Sequence, residues 1–315
     1  MTKSPALKLP TPFPCFPLRG GALCALALAF TAHAQAGLLF NYNGFSSTAG
    51  LTLVGNAGTA STSDGTVLRV TPAASGQSGA AYSTVAVTLG PSDTFSTQFQ
   101  FRFTNPGGLN PADGLTFVLT ANPSGLGSSG VGLGYQGVAN SAAIEFDTYN
   151  NSGFGLPNDD GNSSNHVAID QNGVLSNTAL ANVYGNPSCG FPSGGPPQNS
   201  NAVPGCLSNG NLWTANITYD GSRLNVILRD PAEPGAFTAI NNFPLDIKSL
   251  LGTNTAFVGF TSGTGAGFEN HDIVNWSFSN SASIVTATPE PSTAALLGTG
   301  FMMFGLVAFL RVGRA

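Results

Sequence analysis

Charge is what this chain has least of: Asp, Glu, Lys and Arg together make up 8% of its 315 residues. A basic stripe able to follow a phosphate backbone is therefore excluded, and with it a nucleic-acid partner. The few charges are also lopsided. Fourteen of the fifteen acidic residues but only five of the ten basic ones lie between Gly37 and Thr288, a balance that favours divalent cations as partners. Helical periodicity is missing as well, since no central stretch keeps a 3.6-residue apolar repeat with caps for more than a few residues. Cysteine is scarce: Cys15 and Cys24 fall in an N-terminal apolar segment, which leaves only Cys189 and Cys206. Two thiolates alone make a poor zinc site, and in an oxidising compartment they would pair. What the chain has in quantity is glycine (41) and proline (21), with Ser, Thr and Asn between short apolar runs. That composition describes a β-rich extracellular domain.

The two ends differ from the middle. Residues 1–36 read as a secretory signal peptide, with Lys3, Lys8 and Arg19 ahead of the apolar run 22–30 and small residues at Ala32, Ala34 and Ala36. At the other end a linker over 281–292 holds Pro289-Glu290-Pro291-Ser292, and residues 293–315 form an apolar stretch closed by Arg311 and Arg314. Eighteen apolar residues (293–310) can just span a bilayer, with the arginines left on the cytoplasmic side. This tail resembles the PEP-CTERM sorting signal of Gram-negative bacteria. The resemblance implies an exosortase-type processing protease, at least transient membrane attachment, and a final place at the cell surface, the outer membrane or the extracellular matrix.

Between the ends, residues 37–280 read as one all-β domain. Alternating or apolar runs at 50–55, 67–71, 80–89, 94–104, 114–120, 142–149, 166–170, 212–220, 223–230, 256–261 and 272–278 are separated by turn residues. Two packed antiparallel sheets are the economical arrangement for so many short strands. Tyr219-Asp220-Gly221-Ser222 predicts a hairpin turn, and residues 245–251 at most a short helical turn. The Gly/Pro-rich insertion 184–211 carries too little apolar surface to shape itself by packing. A Cys189–Cys206 disulfide would staple it, at about 3 kcal/mol by the chain-entropy argument.

Chemistry concentrates in Glu145-Phe146-Asp147-Thr148-Tyr149-Asn150-Asn151, Asn158-Asp159-Asp160 and His166-Val167-Ala168-Ile169-Asp170. With the two-residue period of a strand, Glu145, Asp147 and Tyr149 share one face, and Ile144, Phe146 and Thr148 share the core face. Adjacent carboxylates repel each other and invite a cation, and an imidazole adds the nitrogen that transition ions favour.

From Phe40 to Phe278 the chain resembles the legume-type (L-type) lectins of the concanavalin A-like fold. The likeness rests on Leu51-Thr52-Leu53-Val54-Gly55-Asn56-Ala57, Ala112-Asp113-Gly114-Leu115-Thr116-Phe117-Val118-Leu119, Ala143-Ile144-Glu145-Phe146-Asp147-Thr148-Tyr149 and Asn270-His271-Asp272-Ile273-Val274-Asn275-Trp276-Ser277-Phe278. The resemblance implies a β-sandwich of jelly-roll type holding Ca2+ and a transition ion such as Mn2+. Glu145, Asp147, Asp159 and His166 would hold the transition ion; Asp147, the Tyr149 carbonyl, Asn151 and Asp159 would hold calcium. Asp160 is the adjacent alternative to Asp159. It further implies a cis Ala112–Asp113 peptide and a carbohydrate site built from Asp113, Asn151, a backbone N–H near Gly130, the Tyr149 ring, Gly265 and Ala266. His271 falls in a block that ends the fold, which suggests a structural role. The function implied is calcium-dependent binding of glycans or exopolysaccharide, without catalysis. Lectins of this kind often pair edge to edge, so a homodimer is one expectation.

Two other readings compete. Laminarinase-like glycosidases share the superfold and need a second glutamate on the same strand, yet Asn150 stands in its place. A structural or adhesion protein of the polysaccharide matrix would use ions only to stabilise the sandwich.

Overall fold

Phe95, Phe99, Phe101 and Phe103 alternate with Ser96, Gln98, Gln100 and Arg102, so an extended chain puts a row of rings on one face and polar groups on the other. In the computed structural model all four rings are fully buried while Gln98, Gln100 and Arg102 are half-exposed. The structure describes residues 37–89, 93–152, 160–189 and 203–283. The expected signal peptide (1–36), most of the linker and the C-terminal apolar segment lie outside them. Among the described residues, no helix is long and apolar enough to cross a membrane.

Among the described residues, two eight-stranded antiparallel sheets face each other, as the all-β sandwich reading requires. The first runs β14 (Phe237–Pro244), β13 (Arg223–Arg229), β12 (Trp213–Tyr219), β7 (Phe95–Gly108), β16 (Gly267–Ser279), β4 (Gly65–Thr71) and β3 (Gly58–Thr62), with β1 (Leu38–Tyr42) paired to the end of β16. The second runs β11 (Val174–Asn182), β10 (His166–Gln171), β9 (Ser141–Asp147), β8 (Gly114–Thr120), β15 (Thr255–Gly263), β5 (Ser78–Ser83) and β2 (Leu51–Gly55), with β6 (Val87–Thr88) paired to β15. The long central strands β7 and β16 pair over Ser96–Gly108 and Gly267–Ser279.

Aromatic rings fill the space between the sheets. Phe99 meets Phe117, Phe146 and Phe260 at centroid distances of 6.0, 5.7 and 5.0 Å, and Phe260 meets Trp276 at 4.9 Å. A second, smaller core lies on the far side of the second sheet, where Tyr82, Val118, Ala143 and Leu175 pack beneath Leu133, Tyr135 and Val138. Every residue of β8 and β9 is consequently buried on both faces.

Four strands depart from the sequence reading: β1, β3, β11 and β14 fall where no run was expected, and the 80–89 run divides into β5 and β6. The Tyr219–Ser222 turn forms as expected, with Asp220 Oδ1 accepting from the N–H groups of Ser222 and Arg223 at 2.9 and 2.7 Å. The helical turn at 245–251 becomes α1 (Ile247–Leu251), capped by Asp246. In the insertion, Cys189 and Cys206 form the expected disulfide. Packing contributes more there than composition suggests, because Leu207 enters the main core. The buried Asn165 side chain then donates to the carbonyls of Asn186 and Gly205 at 3.0 and 2.9 Å and accepts from Leu207 N–H at 2.9 Å.

Phe99→Ala would leave a cavity against the rings of Phe101, Phe117, Phe146 and Phe260 and should cost about 3–5 kcal/mol. A urea titration should show this as a lower midpoint at unchanged slope.

Candidate functional site

β9 and β10 pair in register, Asp147 opposite His166 and Glu145 opposite Ala168. Directly paired residues and those two positions along share a sheet face, so Glu145, Asp147 and His166 converge. One ligand atom from each lies within 4.8 Å of the others, and all three residues are buried. Glu145 Oε1 stands 3.2 Å from His166 Nε2.

Beyond Asp147 the chain leaves the sheet. Tyr149 is thus not a strand residue: it is half-buried in the following loop, where its N–H donates to Asp147 Oδ1 at 2.7 Å. Thr148, expected to face the apolar core, instead donates its hydroxyl to the buried carboxylate of Glu269 at 2.8 Å. Asn151 is buried, and its side-chain Oδ1 has no hydrogen-bond partner. Its N–H donates to Asp160 Oδ2, and Asp160 Oδ1 accepts from Asn177 Nδ2 at 2.9 Å. Asp159 lies outside the described residues. Asp160 is 2% exposed, and its charge acts on Asp113, Glu145, Asp147 and His166 together.

Asp113 follows a cis peptide bond after Ala112. Its backbone N–H donates to Gly263 O at 3.1 Å and its carbonyl accepts from Thr148 N–H at 2.9 Å. The carboxylate is buried, accepts from the Gly265 backbone, and has Oδ2 without a partner. Gly130 and Gly265 lie over it: a Cβ on Gly265 would sit 3.3 Å from Asp113 Oδ2, and one on Gly130 3.9 Å. Two glycines leave a shallow hollow above a carboxylate. Ala266, next along, is exposed. The Gly130 N–H already donates to Thr264 O at 3.0 Å, so a ligand-facing donor in this turn would have to be a neighbouring amide.

Burial dominates the electrostatics. It pushes the carboxyls of Asp113 and Glu145 up to about 7, with the Asp160 charge adding to both. It carries Asp147 and Asp170 well above the ordinary carboxylate range, and lowers His166 against the pull of Asp160 and Asp170. Basic side chains are engaged elsewhere: Arg69 pairs with Asp272, Arg102 with Asp64, and Lys248 lies against Asp93. Uncompensated buried carboxylates with an imidazole and an unpartnered amide oxygen fit divalent ions well, since oxygen donors suit calcium and a nitrogen suits a transition ion.

The legume lectin domain matches residues 37–293 of this chain. The chain belongs to the legume lectin family. Among similar proteins, the basic agglutinin of Psophocarpus tetragonolobus is 30% identical over 62% of this chain and 72% of its own length. The probable L-type lectin-domain containing receptor kinase VII.2 of Arabidopsis thaliana is 31% identical over 59% of this chain. The chain spans only about a quarter (26%) of that kinase's length. Basic winged bean lectin, solved with Tn-antigen, superposes with a TM-score of 0.57 at 26% identity, covering 76% of this chain and 96% of that one. Membership of a lectin family points to carbohydrate binding.

Sequence reasoning passed over three residues that the structure brings to this end of the sandwich. Asp170 is buried beside Glu145, Asn177 reaches Asp160, and Glu269 holds Thr148. The first had a signal, a third carboxylate spaced evenly along β10 from His166; the other two come from distant strands.

Carboxyl groups raised by burial are neutral in the fold at a pH where the unfolded chain ionises them, near 4. Without divalent ions the protein should therefore lose stability as pH rises from about 4.5 to 7. Glu145→Gln should flatten part of that fall, as read by melting temperature in chelator.

Proposed function

We propose that this protein is an exported lectin that binds glycans or exopolysaccharide through Asp113 beside a pair of divalent ions. The single observation that carries the reading is the convergence of the buried Glu145, Asp147 and His166, all reached by the charge of Asp160, on the same end of the sandwich as the buried Asp113 carboxylate. Glu145, Asp147, Asp160 and His166 would hold a transition ion such as Mn2+. Asp147, the Tyr149 carbonyl, Asn151 and Asp160 would hold Ca2+. Asp160 is given the bridging role in this proposal because its charge reaches Asp113, Glu145, Asp147 and His166 and it is tied to the Asn151 backbone, while Asp159, the first expectation, lies outside the described residues. Bound ions would supply the positive charge that keeps these buried carboxylates ionised.

Sugar hydroxyls would then donate to Asp113, whose carboxylate is buried and has one oxygen unpartnered. Asn151 would add its amide N–H, a backbone N–H beside Gly130 another, and the half-exposed Tyr149 a ring for the apolar sugar face. Gly265 and Ala266 complete the rim. Shallow polar groups around one aromatic plate suit a saccharide. The Tn-antigen held by the winged bean lectin supports this class of ligand. The N-terminal segment 1–36 supports export, and Pro289-Glu290-Pro291 with the apolar tail supports sorting through an exosortase-type protease to the surface or matrix of a Gram-negative cell.

A glycan array on the protein from Gly37 onward should show binding with calcium and manganese and none in EDTA. Blank arrays with both ions supplied, joined to a large loss of melting temperature on chelation, would instead identify a matrix protein stabilised by its ions. Asp113→Asn should weaken sugar binding by about 100-fold at unchanged ion affinity, the worth of two hydrogen bonds to a charged group. Asp160→Asn should weaken affinity for both ions at least about tenfold, whereas Asp159→Asn should leave it within about threefold.

A further inference from the structure

Behind the Asp113 loop lies a buried polar cluster with no part in holding ions or sugar. Glu269 and His271 sit on β16, Thr71 on β4 and Ser262 on β15, and all four are 0% exposed. His271 Nδ1 lies 2.7 Å from Thr71 Oγ1 and 2.9 Å from Ser262 Oγ, and the two hydroxyl oxygens lie 2.7 Å apart. Ser262 Oγ donates to Gly114 O at 2.7 Å.

Counting hydrogens orders this set. The only hydroxyl proton of Ser262 goes to Gly114 O, so the short Thr71–Ser262 contact requires Thr71 to donate. Thr71 then has no proton left for the imidazole, and His271 Nδ1 must itself carry one. Donation therefore runs one way, from His271 Nδ1–H to Thr71, to Ser262, to the Gly114 carbonyl. On its other side the imidazole edge faces Glu269 Oε1 at 3.7 Å, the atom that accepts from Thr148 Oγ1 at 2.8 Å. Thr148 N–H holds the Asp113 carbonyl at 2.9 Å. The ring itself is fixed edge-on to Phe103, with centroids 4.7 Å apart.

We propose that Glu269 and His271 are positioning residues that clamp the backbone on both sides of Asp113 and so aim its carboxylate into the sugar hollow. One arm reaches Gly114 O through Thr71 and Ser262; the other reaches Asp113 O through Thr148. The clamp spans both sheets, joining β16 and β4 of one to β8 and β15 of the other. Its value to recognition rests on the lectin reading, but the clamp itself does not.

The test uses the ion-loaded full chain and two gentle variants, Ser262→Ala and His271→Gln, with amide hydrogen exchange as the first readout. Exchange at the Asp113 and Thr148 amides should accelerate at least about tenfold while amides of the β12–β13 pair keep their wild-type rates. Nitrogen NMR of the wild type should find His271 protonated at Nδ1. Sugar affinity should fall about tenfold or more at calcium affinity within about threefold of wild type. Unchanged exchange at Asp113 and Thr148, or equal acceleration across the whole sandwich, would overturn the proposal. If His271→Gln does not fold, Ser262→Ala alone decides by the same criteria. A wild type that binds no glycan, with the local exchange response present, would remove the lectin reading and support the clamp.

Discussion

Negative charge buried without a basic side chain paired to it among the described residues governs one end of this sandwich. Asp113, Glu145, Asp147 and Asp170 are all at most 4% exposed. An isolated buried carboxylate either finds a cation or takes up a proton. With Arg69 and Arg102 paired on the other sheet and Lys248 near Asp93, burial favours the protonated form of Asp113, Glu145, Asp147 and Asp170, and bound cations would favour their ionised form. The described residues that follow Asp147, 148–152 and 160–165, lie outside the strands and border that cluster. Among them, Asn151 and Asp160 are tied through a single backbone N–H and the charges around them.

The rest of the molecule is arranged so that this unfavourable end can exist. Between the sheets, ring packing of Phe99, Phe146, Phe260 and Trp276 supplies a well-filled frame. Outside the second sheet, the segment carrying Leu133, Tyr135 and Val138 covers the other face of β8 and β9. The ligand-bearing strand β9 is thus enclosed on both sides and flanked by β8 and β10. Side chains on such a strand cannot relax away from one another, so Glu145 and Asp147 stay together whether or not an ion is present. Gly130 and Gly265 lie in loops over the Asp113 carboxylate, outside this frame.

Much of this could be read from residue order alone, and the reasons are physical. Glu145, Asp147 and His166 stood out because strand alternation fixes which side chains share a face and because carboxylate with imidazole is a ligand chemistry. Asp113 and Asn151 could not be found that way and came through family resemblance, since a loop has no period. Whether Asp159 or Asp160 faces the cluster depends on the path of the chain after Asn151, which adjacent identical residues cannot reveal. Among the strands, β3 (Gly58–Thr62) escaped because Gly-Thr-Ala-Ser-Thr has no apolar alternation to detect. β11 escaped because positive φ values at Asn177 and Ala179 break its pleat and its register with β10 shifts twice. Tyr149 and Thr148 were misread for a related reason: the period of two was carried past Asp147, where the strand ends.

That early end of β9 also joins the carboxylate–imidazole cluster to Asp113. Over five residues the chain passes from Asp147 to Asn151, and its contacts alternate in direction. Asp147 faces Glu145 and His166, Thr148 reaches back to Asp113 O and Glu269, Tyr149 turns toward solvent, and Asn151 meets Asp160. A strand continuing through these positions would place Thr148 in the apolar core and leave the Asp113 carbonyl without its partner. By leaving the sheet, one short segment becomes at once a wall of the carboxylate–imidazole cluster and the support of a neighbouring carboxylate. Cations gathered at Asp147 and Asn151 would stiffen Thr148 between them. Because Thr148 holds Asp113, ion binding and sugar binding would be coupled through two hydrogen bonds rather than through any large movement.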